Sequence, residues 1–112
     1  MTLSPYKLSE NFIKRKLTLI KDGNLSLTNY DGFKTAYGEI NSVIQADIEI
    51  NSSKFYFNIL KGGSTGLAES YVRDEFRTSD LTSLIELTAK NINLTHRFSG
   101  ILQIKILKNL FR

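Results

Sequence analysis

The first segment of the chain carries an apolar stripe with helical spacing. The members of this stripe are Tyr6, Phe12, Ile13, Leu17 and Ile20. Ser4 followed by Pro5 is typical of a helix start, because Ser supplies a capping oxygen and Pro lacks the N–H that would stay unpaired there. The pattern predicts a helix over about residues 5–21. The alternative is a hairpin in which residues 17–20 pair with residues 25–28.

Alternating polarity follows this segment and predicts strands. Leu25 and Leu27 alternate with polar neighbours, a turn signal lies at residues 31–32, and residues 33–37 return antiparallel. Residues 43–50 show the clearest alternation in the chain. The apolar positions of this segment are Ile44, Ala46, Ile48 and Ile50. We expect an antiparallel meander of about three strands, with one face on a core and the other in water.

Helical patterns return in the second half of the chain. Residues 53–61 are apolar on most sides, the glycine-rich residues 62–66 interrupt them, and residues 67–72 fit one or two further turns. Residues 76–79 form a connector whose Thr or Ser caps a helix over about 80–91. The apolar face of that helix contains Leu81, Leu84, Ile85 and Thr88. The sequence therefore predicts an α+β fold: an N-terminal helix, a small antiparallel sheet, and three to four helices packed on one face.

The C-terminal segment has two interpretations. On a helix, its basic residues share one side and its apolar residues cover most of the rest, as in a basic amphipathic helix over 93–112. The basic residues are Arg97, Lys105, Lys108 and Arg112. A strand over residues 98–110 is the alternative, because apolar and polar residues also alternate there. Helix is favoured by the Lys, Leu and Gln content of the segment.

Length and composition set the class of protein. With 112 residues the chain predicts a single domain over 1–112, with a core over about 5–92 and a possible linker role for 93–112. The chain has no Cys and a single His, which excludes disulfides, Cys-ligated zinc and thiolate catalysis. No apolar run approaches the length of a membrane span, and the N-terminus lacks a signal pattern. We therefore expect a cytoplasmic location.

Charge is segregated along the chain. The net charge of +4 arises because residues 1–21 and 87–112 are basic while residues 22–86 are acidic. Such asymmetry indicates either an anionic partner or basic ends that complement the acidic middle of the same fold. Nucleic acid is not an expected partner, since the acidic middle would repel phosphates and no RNA-binding motif is present.

Motifs for catalysis or cofactor binding are weak. The glycine-rich residues 62–66 lack the Lys-Ser/Thr of a phosphate-binding loop and are better explained as a turn. The acidic residues at 69–80 fit helix starts and solvent-facing positions, and His96 fits a surface or capping role. The residues alone therefore predict no catalytic residue, no cofactor and no metal.

One dense motif resembles a known family. It comprises residues 63–76, GSTGLAESYVRDEF, and residues 78–82, TSDLT. The positions that match in order are Gly66, Glu69, Tyr71, Phe76, Asp80, Leu81 and Asn91. This stretch resembles the N-terminal, sterol-carrier-like domain of the cyclopropane-fatty-acyl-phospholipid synthases, which are SAM-dependent enzymes acting on membrane phospholipids. Glu75 departs from the pattern, because the family usually has Gly there.

The resemblance implies an accessory role in lipid metabolism. The SAM-binding domain of the family has no counterpart in these residues, so we expect no methyl transfer by this chain alone. The expected partner is an anionic phospholipid surface, which would place the domain peripherally at the membrane, or a methyltransferase domain. Candidate contacts are Leu67, Tyr71 and Phe76 for apolar surface and Arg97, Lys105, Lys108 and Arg112 for head groups. The alternative is a protein-interaction or homodimerisation module without lipid binding.

Overall fold

The computed structural model describes residues 4–91, and these form an α+β fold. The elements in chain order are α1 (Pro5–Leu17), β1 (Asn24–Thr28), β2 (Lys34–Gly38), β3 (Gln45–Ile50), α2 (Lys54–Val72), β4 (Phe76–Arg77) and α3 (Leu81–Lys90). The predicted helix over 93–112, and its alternative strand over 98–110, lie outside the described residues.

Helix α1 begins where the sequence predicts. The Ser4 hydroxyl accepts a hydrogen bond from the Lys7 backbone N–H at 3.1 Å, and Pro5 occupies the first turn. The helix ends at Leu17 and not near residue 21: the Leu19 and Ile20 N–H groups bond to the carbonyls three residues earlier, and the chain then turns through Asp22, which has a positive φ of 58°. The alternative hairpin does not form, since β1 pairs with β2 and β3.

The sheet is mixed, which corrects the predicted antiparallel meander. Its strand order is β2-β1-β3-β4, and β3 runs parallel to β1 in the centre. The β2–β3 loop (residues 39–44) carries the chain past the start of β1 to its far side. Two backbone hydrogen bonds hold this crossing, from Glu39 N–H to the Gly23 carbonyl at 2.9 Å and from Asn24 N–H to the Ile44 carbonyl at 3.0 Å. Alternation along a strand determines its faces but not its neighbours.

A fourth strand lies where the sequence predicts a connector. Phe76 and Arg77 pair antiparallel with the end of β3, opposite Ile50 and Glu49. The helix that follows is capped by Asp80 and not by Thr78 or Ser79, since the Asp80 carboxylate accepts from the Ser83 N–H at 3.1 Å. Hydrogen bonds from the Ser83 hydroxyl and the Ser83 backbone N–H hold the pKa of Asp80 below its usual value.

Helix α2 contains the predicted glycine break, in a narrower form. Gly63 has φ 55° and ψ −126°, so the helix turns sharply there and its two halves approach each other. A Cβ atom at Gly66 would lie 2.0 Å from the Asn58 carbonyl oxygen, which shows how closely the halves cross. The predicted helices 53–61 and 67–72 correspond to these two halves.

All three helices contribute to a core on one face of the sheet. The strand residues of this face are Leu25, Leu27, Tyr37, Ala46, Ile48 and Ile50, all buried. The intervening strand positions, such as Ser26 and Glu49, are exposed, which confirms the predicted division of the sheet. On α3 the inner positions are Leu84 and Leu87, whereas Ile85, predicted to face the core, is exposed.

Candidate functional site

An apolar cavity of about 120 Å³ lies between the helices and the sheet. Almost all of its surface is apolar. The residues that line it from the sheet are Leu25, Leu27 and Ile48, and those from the helices include Ile13, Leu17, Phe55, Ile59, Leu67, Leu84 and Leu87. Lys16, Ser64, Thr88 and Asn91 supply the polar side chains of the lining. An apolar lining of this kind favours apolar guests.

The kink in α2 builds this cavity. Ile59 comes from the first half of the helix and Leu67 from the second, and both line the same space because the chain reverses direction at Gly63. A straight helix would carry residues eight positions apart roughly 12 Å along its axis. The glycine break that the sequence shows is therefore what widens one end of the core.

The cation at the cavity is Lys16, in the last turn of α1. Its ammonium lies 5.5 Å from the centre of the Phe12 ring, a cation–π distance. Among residues 4–91, no carboxylate lies within salt-bridge distance of Lys16, whereas Lys7 and Lys14 on the same helix pair with Glu10. The charge of Lys16 is thus available to an anionic group at the cavity.

A second polar arrangement surrounds Glu10, whose side chain is 1% exposed. One carboxylate oxygen accepts from the ammonium of Lys14 at 2.8 Å and from the Asn29 amide at 3.2 Å. The other oxygen accepts from the Tyr30 hydroxyl at 2.5 Å. The buried Tyr56 hydroxyl donates to the side-chain amide oxygen (Oδ1) of Asn29 at 2.6 Å. We call these five residues the Glu10 network.

Opposing effects act on the ionisation of Glu10. Burial raises the pKa of the carboxyl group, but hydrogen bonds from Lys14, Tyr30 and Asn29, together with the positive charge of Lys14, outweigh it and hold the pKa below its usual value. The same contact, with burial, raises the pKa of Tyr30 to about 12. Burial and the nearby Glu10 charge raise the pKa of Tyr56 as well.

The Glu10 network is suited to structure and not to catalysis. The Glu10 carboxylate is 1% exposed and already accepts from Lys14, Asn29 and Tyr30, whereas a general base needs a lone pair within reach of a substrate. The network joins α1 to the turn after β1 and to the start of α2. The candidate functional site is therefore the cavity.

The structure places the sequence-predicted contacts in different environments. Leu67 lines the cavity. Tyr71 is half exposed on the second part of α2, and its ring centre lies 5.6 Å from that of Phe76. Phe76 itself is 1% exposed and belongs to the core, so it offers no surface to a membrane in this conformation. The four basic candidates, Arg97, Lys105, Lys108 and Arg112, lie outside the described residues.

Sequence reasoning missed both Glu10 and Lys16. Glu10 lies four residues after Tyr6 and three before Ile13, so it shares the apolar stripe of α1. An acid on an apolar stripe is a signal of a buried, paired carboxylate that could have been used. Lys16 has no such signal, because only the position of the cavity distinguishes it from Lys14.

Comparisons with known proteins leave the family open. No family model, no curated protein and no solved structure gives a significant match to the chain. In residues 4–91, no group of three or more His, Cys, Asp or Glu side chains is arranged to hold a metal ion. None of the helices in this part of the chain has the length and apolar character needed to cross a bilayer. The resemblance to the synthase family stays a prediction.

Proposed function

We propose that this chain is a non-catalytic accessory domain for lipid, which holds part of an acyl chain in the cavity between α1, α2, α3 and the sheet. The single observation that carries the proposal is the apolar cavity of about 120 Å³. An engineered apolar cavity of about 150 Å³ in another protein binds benzene, so this volume suits a short aliphatic segment and not a whole phospholipid.

The lining favours an aliphatic guest over a polar one. Side chains of Leu and Ile from all four sides meet the guest, and these side chains offer no hydrogen-bond partners to a polar group buried among them. A polar guest would lose its hydrogen bonds with water and gain none in return, which is unfavourable. An acyl chain loses nothing of this kind and gains from the removal of its surface from water.

Lys16 selects the head group. Lys16 lines the cavity, its ammonium lies 5.5 Å from the centre of the Phe12 ring, and it has no carboxylate partner in residues 4–91. The hydroxyl of Ser64, which also lines the cavity, can donate a hydrogen bond to an anionic oxygen. The proposed ligand is therefore an aliphatic chain that ends in a carboxylate or a phosphate, which is the chemistry of fatty acids and phospholipids.

The experiment is a titration of the isotope-labelled full chain with octanoate, followed by amide NMR. We expect shifts at Leu67, Leu84 and Leu87, which line the cavity from two helices. Leu67→Trp fills the cavity and should weaken binding at least about ten-fold, or about 1.4 kcal/mol. Ile85→Trp is the matched control, because Ile85 is exposed on the outer side of α3.

A comparison of octanoate with octanol tests whether Lys16 selects the head group. Octanol has the same chain length without the charge, so Lys16→Gln should reduce octanoate affinity to the level of octanol and leave octanol affinity unchanged. Circular dichroism verifies that each variant folds. Octanoate binding that is absent at the cavity, or equal in Leu67→Trp and Ile85→Trp, contradicts the proposal.

The partner predictions extend this proposal. The resemblance implies an anionic phospholipid surface or a methyltransferase domain as the partner, and the accessory role fits either. Light scattering addresses the alternative function. A stable dimer of the full chain that binds no octanoate would favour the interaction or homodimerisation module instead.

A further inference from the structure

The β2–β3 loop presents two aliphatic side chains to solvent. Ile40 is 79% exposed and Val43 is fully exposed. Neither contributes to the core, and a loop needs no such residues to turn. Exposed apolar side chains that lie close together mark interaction surfaces more often than single ones do, and these two lie three positions apart in one short loop.

The loop holds these side chains in a defined geometry. The Gln45 side-chain amide donates to the Ile40 carbonyl at 2.9 Å and to the Ser42 carbonyl at 2.8 Å. The Ser42 N–H donates to the Glu39 carbonyl at 3.2 Å. Hydrogen bonds from Gln45 and within the loop thus hold the backbone between Ile40 and Val43, and the two aliphatic side chains project from it.

Three segments meet at this end of the domain. The loop is bonded to Gly23 and Asn24, as described above. Lys21 and Asn91 are joined by two hydrogen bonds of 2.8 Å, one in each direction between the Lys21 backbone and the Asn91 amide. We call this region, residues 15–23, 39–44 and 90–91, the Asn91 end. Leu19, which is half exposed, adds a further apolar side chain to it.

Charge at the Asn91 end is predominantly positive. The cations are Arg15, Lys16, Lys21 and Lys90, and the acids are Asp22 and Glu39. The chain continues from Asn91 into residues 92–112, whose sequence contains four basic residues and no acid. Exposed aliphatic side chains at an end with net positive charge match the chemistry of an anionic membrane, whose surface attracts the cations while its interior accepts the side chains.

We infer that the Asn91 end docks on an anionic phospholipid surface, with Ile40 and Val43 entering the acyl boundary. The inference rests on the proposed lipid function for the nature of the partner and on the loop geometry for the contact. Ile20, Lys16 and Asn91 line the cavity and also lie at this end, so docking brings the cavity close to the lipid.

The chain has no Trp, so a single introduced Trp reports directly on insertion. With vesicles of mixed phosphatidylglycerol and phosphatidylcholine, Val43→Trp in the full chain should shift its fluorescence to shorter wavelength and become protected from iodide. Val72→Trp is the matched control, because Val72 is equally a highly exposed valine but lies at the end of α2. Its fluorescence should not change.

Affinity provides a second readout. The double variant Ile40→Ser/Val43→Ser should bind the anionic vesicles at least about ten-fold more weakly than the natural chain, since two branched side chains leave the interface. Val72→Ser/Ile85→Ser should bind as the natural chain does. Pure phosphatidylcholine vesicles and high salt should each weaken binding, because both remove the attraction for Lys21 and Lys90.

The outcomes separate this inference from the proposed function. Equal vesicle binding by the two double variants overturns the inference, and so does a Val43→Trp shift that occurs without vesicles in a chain that light scattering shows to be dimeric. Loss of vesicle binding with normal octanoate binding in Ile40→Ser/Val43→Ser supports it. Loop-dependent vesicle binding by a chain that takes no octanoate would uphold the docking surface and reject the cavity.

Discussion

The two ends of the layer between the helices and the sheet are filled in opposite ways. At the end where β1 finishes, the Glu10 network fills the space with hydrogen-bonded polar groups from α1, the turn after β1, and α2. Toward the Asn91 end, the same layer is lined by Leu and Ile and contains the cavity.

The end with the Glu10 network anchors the helices to the sheet, whereas the end with the cavity can rearrange. A buried carboxylate with four donors tolerates almost no rearrangement, because each lost hydrogen bond leaves a desolvated polar atom. Aliphatic side chains around a cavity can move into it without losing any directed contact. We therefore expect substitutions at the Glu10 end to cost more than comparable ones at the cavity.

Removing the carboxylate of Glu10 should have the largest effect. Glu10→Ala leaves the buried Asn29 amide unpaired and opens a cavity, which should lower the free energy of unfolding by about 2–3 kcal/mol. Glu86→Ala, an exposed acid on α3, is the control and should change it by less than about 0.5 kcal/mol. Urea denaturation measures both. Equal effects would refute an anchoring role for Glu10.

Acid should destabilise the natural chain through the same residue. The folded state holds the pKa of Glu10 below its ordinary value of 4.5, so the contribution of Glu10 is present above that value and is lost as the pH falls through the lower folded pKa. The free energy of unfolding, measured by urea denaturation at a series of pH values, should therefore fall in this window. In Glu10→Gln the fall should be shallower; an unchanged slope would assign the acid sensitivity to other carboxylates.

Alanine substitutions at two glycines test a rigid and an adaptable environment. Gly66→Ala places a Cβ against the Asn58 carbonyl, which is helix backbone, and should destabilise the fold by about 2 kcal/mol. Gly23→Ala places a Cβ 2.2 Å from a methyl group of Leu87, which can move into the cavity, and should cost less than about 1 kcal/mol. Thermal or urea unfolding measures the loss of stability in both variants. A larger loss in Gly23→Ala than in Gly66→Ala would contradict the prediction.

A single hydroxyl in the network should have a smaller effect. Tyr56→Phe removes the donor to Asn29 and keeps the ring, so the free energy of unfolding should fall by about 1 kcal/mol. Tyr71→Phe, where the ring is half exposed, serves as its control. If both variants unfold at the same urea concentration as the natural chain, the Tyr56 hydroxyl is not stabilising.

Alkaline titration should show the smallest effect. Tyr30 donates to Glu10, which raises the pKa of Tyr30 from its ordinary value of 10.0 to about 12. Its contribution is present below the lower value and is lost as the pH rises toward the higher one. Near-ultraviolet absorbance of tyrosinate should show a late-titrating group that is missing in Tyr30→Phe. A titration of the same shape in both proteins would exclude the hydrogen bond.

Part of the candidate site was accessible from the sequence. The glycine break at 62–66 and the apolar character of Leu67 were recognised, and both contribute to the cavity. The sequence does not indicate the role of Lys16, because that role depends on which helix faces the cavity. Phe76 is predicted as an apolar surface contact but is buried, and a two-residue strand at a sheet edge leaves no alternation from which its burial could be predicted.

By itself the sequence determined the types of the elements except β4, and the inner face of the sheet. Ser4 and Pro5 start α1, and the alternation of Ala46, Ile48 and Ile50 buries one side of β3, because such signals depend on residues a few positions apart. Only the tertiary structure decided that β3 lies parallel beside β1, that Glu10 meets Asn29, and that the helices leave a cavity. Those outcomes depend on contacts between residues far apart in the chain, which local periodicity does not encode.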